Sequence, residues 1–353
     1  MGNAFAKASL AAMSILHLLG SSADGGAETY FVDLTTALGD AGVATTVALR
    51  RHPGRELALA QHGIVTRRLP FGGPFDLVTR LSVAAFARRT HATAMVAWMN
   101  RAARHSPAGR WKRIGRLGGY YKLRNYAGFD MLVANTRDIA AWIVGQGWPH
   151  EKVRYIPNFA AAKDSPPQDR AALDTPADAP LLLALGRLHK VKAHDIAIEA
   201  LADIPGAWLW IAGTGPLEAE LKALAHKLGV ADRVRFLGWR EDAGSLYAAA
   251  DLCLFPSRYE PLGNVVIQAW AHGLPVIAAA SKGPFALIAP GKDGLLVPID
   301  DAPALAEAAK RLLANPALRA SMAQAGKRRV EQEFSQTAVV AQWRALFADM
   351  GVS

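Results

Sequence analysis

Three stretches in the second half of the chain combine cations, a carboxylate and glycines in a pattern suited to holding a phosphorylated ligand. The first is Gly186-Arg187-Leu188-His189-Lys190-Val191-Lys192, directly after the apolar run 181–185. A buried parallel strand that ends at a glycine delivers Arg187 and Lys192 to its carboxyl end, where a diphosphate needs two or more positive partners. The second is Gly213-Thr214-Gly215-Pro216, after the run 208–212. It resembles a dinucleotide fingerprint, but Glu218 stands where the third glycine belongs, so what remains is a tight turn with amides facing a ligand. The third runs Glu260-Pro261-Leu262-Gly263-Asn264 and on to Gln268, between the run 252–255 and a helical pattern. The start of that helix offers the amides of Leu262, Gly263 and Asn264 and a partial positive charge. Glu260 taken alone is a capping acid. Within the full string it is an acceptor for sugar hydroxyls, with Gln268 one helical turn along.

Such loops act together only if parallel strands bring them to one edge, and the pattern supplies such strands. Apolar runs at 181–185, 208–212, 234–237, 252–255, 275–278 and 295–297 alternate with helical patterns at 194–202, 216–228 and 302–314. Pro216 suits the first turn of its helix. The first half repeats the scheme, with strands at 14–19, 44–49, 92–98 and 131–134. Helices follow at 27–41, with Phe31, Leu34 and Leu38 on one stripe, and at 138–146. This alternation predicts an α/β protein of two Rossmann-like domains facing each other across a cleft. The expected domains are 1–165 and 181–334, joined by a proline- and aspartate-rich linker at 166–180.

Composition narrows the class. The chain has 353 residues, 51% of them hydrophobic, and one cysteine, Cys253. Those figures suit two cores of good size and exclude a disordered chain, an internal disulfide framework and a zinc site of Cys/His spacing. No run of eighteen apolar residues occurs, so no transmembrane helix is expected. Lys7 is the only early charge and His17 interrupts the first apolar run. The reading is a short tail followed by a strand, in a cytoplasmic protein, rather than a signal peptide. Charge is lopsided: residues 1–160 hold 20 basic and 9 acidic side chains, residues 161–353 hold 20 and 21. Between Leu77 and Phe129 there is no Asp or Glu. Cations from Arg80 to Arg124 interleave there with Trp98, Trp111, Tyr120, Tyr121 and Tyr126. Such a field attracts nucleic acid, an anionic membrane surface or a phosphorylated substrate, or it is a solvated face without a partner.

The string Glu260-Pro261-Leu262-Gly263, with a polar residue eight positions after the glutamate and then Ala271-His272-Gly273-Leu274-Pro275-Val276, resembles the E-x7-E region of retaining family-four glycosyltransferases of the GT-B fold. Gly25-Gly26-Ala27-Glu28, Gly186-Arg187-Leu188 with Lys192, Gly213-Thr214-Gly215-Pro216, Phe236-Leu237-Gly238, Gly291-Lys292-Asp293-Gly294 and Phe334-Ser335 match in the same order. The resemblance is dense from about residue 180 to 347 and sparse before it. It implies a closing helix, 335–350, that packs back on the first domain. It implies that Arg187 and Lys192 neutralise a donor diphosphate and the charge of the leaving group. Glu260 would contact the transferred sugar, and the amides of Leu262, Gly263 and Asn264 its hydroxyls or phosphate. Gln268 replaces the family's second glutamate, which binds the nucleotide ribose, so weaker donor binding is expected. Gly25 and Gly26 would let backbone approach the donor closely. Gly213 and Gly215 would line the donor site, with the base near Trp239 and Arg240.

For the histidine that the family commonly places in its first domain no residue is assigned; His91 and His105 bracket a strand-like run. No two aspartates stand two apart, so the cation-holding D-x-D motif is absent, and a metal-independent reaction without a cofactor is expected. The resemblance thus implies transfer from a nucleotide sugar to a saccharide or lipid-linked acceptor in cell-envelope polysaccharide or lipopolysaccharide synthesis. The basic aromatic window 80–124 would meet an anionic membrane surface, and no nucleic acid is expected as partner. The alternatives are a catalytically weak sugar-nucleotide-binding protein, suggested by Gln268, a basic nucleic-acid-binding protein and an NAD oxidoreductase.

Overall fold

The computed structural model of the chain describes residues 14–23, 25–73, 75–160 and 165–352. The short tail expected before Ser14 lies outside the described residues. The chain divides into two units. One contains the described residues up to Asn158 together with those from Gln336 on, the other Phe159–Ser335.

The first unit is built on β1 (Ser14–Leu19), β2 (Ala44–Leu49), β3 (Val65–Arg68), β4 (Ala94–Trp98), β5 (Lys112–Leu117), β6 (Met131–Ala134) and β7 (Val153–Tyr155). They pair in the order β3-β2-β1-β4-β5-β6-β7. The second is built on β8 (Leu181–Leu185), β9 (Trp208–Ala212), β10 (Val234–Gly238), β11 (Leu252–Phe255), β12 (Val276–Ala279) and β13 (Leu295–Val297), in the order β10-β9-β8-β11-β12-β13. Every pairing is parallel. Each unit is therefore Rossmann-like. The strand order reverses between β1 and β4 and again between β8 and β11. Loops leaving such a pair diverge and open a crevice at the carboxyl ends of the strands.

The local causes are simple. β8 is apolar throughout because helices cover both its faces: Leu182 and Ala184 enter one buried cluster, Leu181 and Leu183 another. Helix starts carry side-chain caps, as where Thr136 accepts from the amide of Ile139 and Asp301 from that of Ala304. The last helix, Gln336–Asp349, belongs to the first unit and buries Val339, Trp343, Leu346 and Phe347.

Two expectations need correction. Residues 166–180 are not a free linker. Their described neighbours fix them to the second unit: the Gln168 amide donates to the Ser245 carbonyl, and Arg170 donates to the carbonyls of Ala249 and Ala179 and pairs with Asp251. Trp210 Nε1 donates to Thr175 at 2.9 Å. The basic window is likewise not a continuous face. It folds into the helix Leu77–Arg89, β4, the helix Met99–Arg104 and β5, and Trp98, Trp111, Tyr126 and Arg116 are buried within it. Among the described residues no helix is long and apolar enough to cross a membrane.

Candidate active site

The crevice of the second unit lies between the loops that leave β8 and β11. Gly186 ends β8 with φ 145°, and a Cβ on it would lie 3.5 Å from the stem of Lys192. The neighbouring loop after β9 is laid against this one, backbone on backbone. A Cβ at Gly213, whose φ is 147°, would sit 2.0 Å from the Gly186 carbonyl oxygen, and one at Gly215 would sit 2.3 Å from that of Leu188. The Leu188 amide donates to Thr214 at 2.9 Å, and that of Leu217 to Leu188 at 3.2 Å. The Gly213 amide is taken by the Gly238 carbonyl at 2.8 Å and does not face a ligand as expected. Both glycines are there because the two loops approach closely.

Lys192 closes a single turn, Lys190–Lys192, and its Nζ donates to Glu260 Oε2 at 2.6 Å over the ring of Phe255. Both side chains are mostly shielded from water. The other carboxylate oxygen of Glu260 accepts from the amides of Gly263 at 3.2 Å and Leu262 at 3.4 Å. Glu260 thus ties down the turn before the helix Asn264–Ala271 and pairs with Lys192 at the same time. The Leu262 and Gly263 amides, expected to meet a sugar or phosphate, are held by this carboxylate instead. Gly263 makes the turn possible with φ 86°, and Asn264 is the first helical residue.

The turn that carries Lys192 is fastened by a residue whose role the sequence did not disclose. Arg258 grips both oxygens of Asp195, at 3.0 and 2.6 Å, the Lys190 carbonyl and Asp300. Its amide donates to Val191 at 2.9 Å. It stands two residues before Glu260, just outside the stretch that the sequence marks for a ligand. Arg187 differs: it is exposed, and its guanidinium has no partner among the described residues. His194, one helix turn away, is buried and lies 3.2 Å from the Gly186 carbonyl. Burial pushes its pKa down to about 4, so the ring is neutral.

The outer residues divide. Gln268 is exposed, and its Oε1 accepts from the hydroxyl of buried Tyr247 at 3.2 Å. The His272 ring stacks on Tyr247 at 5.0 Å, with Nδ1 2.9 Å from the Gln268 carbonyl. Trp239, 67% exposed, displays its indole just past β10. Arg240 does not accompany it. Its guanidinium forks onto Asp242 at 2.7 and 2.6 Å and reaches Gln168 at 2.7 Å. That hydrogen bonding holds the Asp242 carboxyl well below the usual carboxylate range.

Gly25 and Gly26 belong to the first unit. Gly25 caps the helix Gly26–Asp40 in an extended conformation, and a Cβ on it would lie 2.9 Å from Glu28 Oε2, which folds back over it. Gly26 is exposed. His105 is buried, with Nε2 3.3 Å from the Gly72 carbonyl, and His91 occupies an exposed turn with φ 50°. Arg116, one of the cations of the basic window in sequence, lies in β5 beside Trp98 of β4. It is only 2% exposed, donates to Asn158 Oδ1 at 2.7 Å and faces the rings of Tyr30 and Trp98 at 5.8 and 6.0 Å. Among the described residues no group of three His, Cys, Asp or Glu side chains gathers as a metal site would.

Similarity to known proteins extends along nearly the whole chain. The family model "Glycosyl transferases group 1" matches residues 166–329. The chain is 38% identical over 331 residues to the lipopolysaccharide core biosynthesis glycosyltransferase LpsE of Rhizobium meliloti (strain 1021), covering 92% of this chain and 96% of that protein. To LpsD of the same organism, also named for lipopolysaccharide core biosynthesis, it is 35% identical over 349 residues, covering 97% and 99%. Anabaena Alr3699/HepE, solved in complex with UDP, shares the fold with a TM-score of 0.85 at 23% identity, over 96% of this chain and 100% of that one. WaaG, a glycosyltransferase involved in lipopolysaccharide biosynthesis, shares it with a TM-score of 0.69 at 20% identity, over 93% and 98%.

Proposed function

The chain belongs to the group 1 glycosyl transferases, and on that premise we propose that it is a retaining, metal-independent transferase of the lipopolysaccharide core. Its donor is a nucleoside-diphosphate sugar and its acceptor a saccharide or lipid-linked saccharide at the cytoplasmic side of the envelope. The names of LpsE and LpsD support the pathway, and the structures of HepE with UDP and UDP-glucose support the donor class.

The observation that carries the reading is the Lys192–Glu260 pair at the crevice between β8 and β11, with Arg187 exposed on the loop that leaves β8. A donor diphosphate brings two negative charges to this edge. Arg187 meets them directly, and the diphosphate competes with Glu260 for Lys192. Drawn off Lys192, the Glu260 carboxylate and the amides it holds turn to the sugar hydroxyls. The acceptor oxygen then bonds to the anomeric carbon as the bond from that carbon to the diphosphate breaks. The acceptor proton passes to the departing diphosphate oxygen, and attack on the leaving-group face retains the configuration. The two cations supply the charge stabilisation that a divalent ion would otherwise give.

The test is thermal stabilisation in the presence of EDTA by UDP, GDP, ADP and their common sugars. One nucleotide should raise the Tm selectively, by mass action on the folded form, and Arg187→Ala should abolish the shift. No shift with any nucleotide sugar sinks the reading. Gln268, with its amide oxygen engaged by Tyr247, favours one alternative, a protein that binds the donor without transfer. A donor shift without turnover on any envelope saccharide would support that one.

A further inference from the structure

We propose that Arg258 is a positioning residue for the transfer: it locks the turn that carries Lys192 to the loop that carries Glu260, and so fixes where that pair meets the donor diphosphate. The proposal rests on the donor reading of the crevice and concerns a side chain that no ligand touches. Lys192 belongs to the loop after β8 and Glu260 to the loop after β11, so neither segment alone sets the 2.6 Å between them. The start of the first loop is secured where Gly186 lies against the β9 loop. Its far end is a single turn that stops at Ala193, a non-glycine residue with φ 55°. Such a backbone persists only where its surroundings over-determine it.

Arg258 supplies that constraint. Its amide donates to the Val191 carbonyl at 2.9 Å and its Nη1 to the Lys190 carbonyl at 2.8 Å, so one residue holds the two consecutive carbonyls just before Lys192. The guanidinium also forks onto Asp195, in the first turn of the helix His194–Ala202, and reaches Asp300 beyond β13. On its own loop Arg258 stands two residues before Glu260, whose carbonyl accepts from the Gly283 amide at 2.7 Å. A Cβ at Gly283 would lie 2.6 Å from the Leu262 carbonyl carbon, so the Glu260 loop is closely backed on that side. Both halves of the ion pair are thereby tied to one side chain.

Charge separates this role from direct binding. Two carboxylates, Asp195 and Asp300, face the one guanidinium, so Arg258 offers a diphosphate no net positive charge. Its planar fork meets both oxygens of Asp195 at once, which a lysine cannot copy. Arg258 therefore acts on the ligand through Lys192. Arg170 makes a comparable network at the opposite edge of the same sheet. It donates to the Ala249 and Ala179 carbonyls and pairs with Asp251, which also accepts from the Leu181 amide at the start of β8. Arg170 thus holds the amino ends of the two strands whose carboxyl ends Arg258 holds, and it separates a fold effect from a site effect.

The experiment is calorimetric titration with UDP, GDP and ADP in EDTA, with the Tm of every protein measured alongside. The proteins are the parent, Arg258→Ala, Arg258→Lys, Lys192→Ala and the double variant of Arg258→Ala with Lys192→Ala. For the nucleotide that the parent binds, Arg258→Ala should weaken affinity about tenfold and Arg258→Lys nearly as much. Added to Lys192→Ala, the same change should cost less than about twofold, because what Arg258 positions is already gone. Arg170→Ala should lower the Tm yet keep the parent's affinity. Asp195→Ala loosens the same fork from its other side and should show the same dependence on Lys192, which serves if Arg258→Ala does not fold. Parent affinity in Arg258→Ala overturns the proposal, and parent affinity in Arg258→Lys does so by showing that charge suffices. An equal loss with and without Lys192 overturns it by giving Arg258 an effect of its own on the ligand. A parent that binds none of the three nucleotides removes the donor reading itself, and the proposal with it.

Discussion

Lys192 and Arg116 both stand near the carboxyl ends of central strands, Lys192 just past β8 in the second unit and Arg116 within β5 of the first. Their surroundings differ in kind. Lys192 faces a carboxylate at 2.6 Å and keeps part of its surface in water. Arg116 is buried, with two aromatic rings and an amide oxygen around it, and its Nη1 has no hydrogen-bond partner among the described residues. Burial alone loosens its hold on the proton, and no carboxylate pairs with it among the described residues. A partly solvated pair can exchange one anion for another at little cost. A buried cation against rings has no such exchange open to it and acts through packing. The difference separates a charge kept for a ligand from a charge kept by the fold.

The largest effect should come from breaking the exchangeable pair. Lys192→Ala leaves Glu260 as an anion with two backbone amides and removes half the positive charge available to a diphosphate. A loss of about a thousandfold in kcat/KM is expected, about 4 kcal/mol of transition-state stabilisation. Glu260→Gln should keep the bonds to the Leu262 and Gly263 amides through its amide oxygen yet lose turnover, which separates the role of holding the turn from the chemical one. Steady-state kinetics with the donor found by thermal shift provides the measurement. Turnover within a few-fold of the parent for both variants would make the pair structural and erase the contrast with Arg116.

The second effect tests the frame beneath that pair. At Gly213 a Cβ meets the Gly186 carbonyl at 2.0 Å, and the backbone conformation is one that side chains avoid. Gly213→Ala should cost about 3 kcal/mol or more in urea unfolding, since the loops of β8 and β9 must part. Gly229→Ala is the control: its φ is 68° with nothing within 4 Å, so only the intrinsic cost of about 1 kcal/mol applies. Equal losses for the two variants would mean that the loops are free to separate.

The same contrast governs what could be read from the sequence. β8, β9 and β11 are apolar runs ended by glycine or a polar turn, so their loops, and with them Arg187, Lys192 and Glu260, could be placed from local pattern. β5 could not. It reads Lys-Arg-Ile-Gly-Arg-Leu, which locally is a loop. Gly115 is there because a Cβ would lie 2.5 Å from the Tyr126 ring, and Arg116 survives because Tyr30, Trp98 and Asn158 surround it. Those partners are far away in sequence and leave no periodic trace. Arg258 and Arg240 were missed or misassigned for the same reason: whether a cation faces a ligand or an aspartate depends on tertiary placement.

A third prediction concerns pH and again the first unit's interior. His17 is buried beneath Trp98, whose Nε1 donates to its Nδ1 at 3.3 Å, and burial lowers its pKa to about 3 from 6.5. The folded state therefore refuses a proton that the unfolded chain accepts below pH 6.5. Stability is whole above that pH and falls as the pH drops toward 3, by about 1.4 kcal/mol per pH unit for this group. His194 adds a similar slope down to about 4. In His17→Gln an amide oxygen can still accept from Trp98, while nothing titrates. Urea unfolding at pH 7, 5.5 and 4.5 should show its slope reduced by about one proton. An unchanged slope would mean that His17 does not stay neutral in the fold.

The smallest expected effect carries the sharpest test of the contrast. Arg116→Met removes a buried charge and leaves an unbranched apolar chain of similar length over the same rings. The lost hydrogen bond to Asn158 and the desolvation no longer required are of similar size and opposite sign. Stability should stay within about 1 kcal/mol of the parent, with kcat/KM and the nucleotide-induced Tm shift unchanged. Arg116→Ala should instead cost about 2–3 kcal/mol, because the stem's packing is lost and a cavity remains. The order Met above Ala identifies a packing residue, for both variants lose the charge and only one loses the volume. If Arg116→Met kept its Tm yet lost turnover as Lys192→Ala does, the buried guanidinium would serve the reaction. Solvent contact and a displaceable carboxylate would then no longer distinguish the cation of a ligand site from the cation of a core.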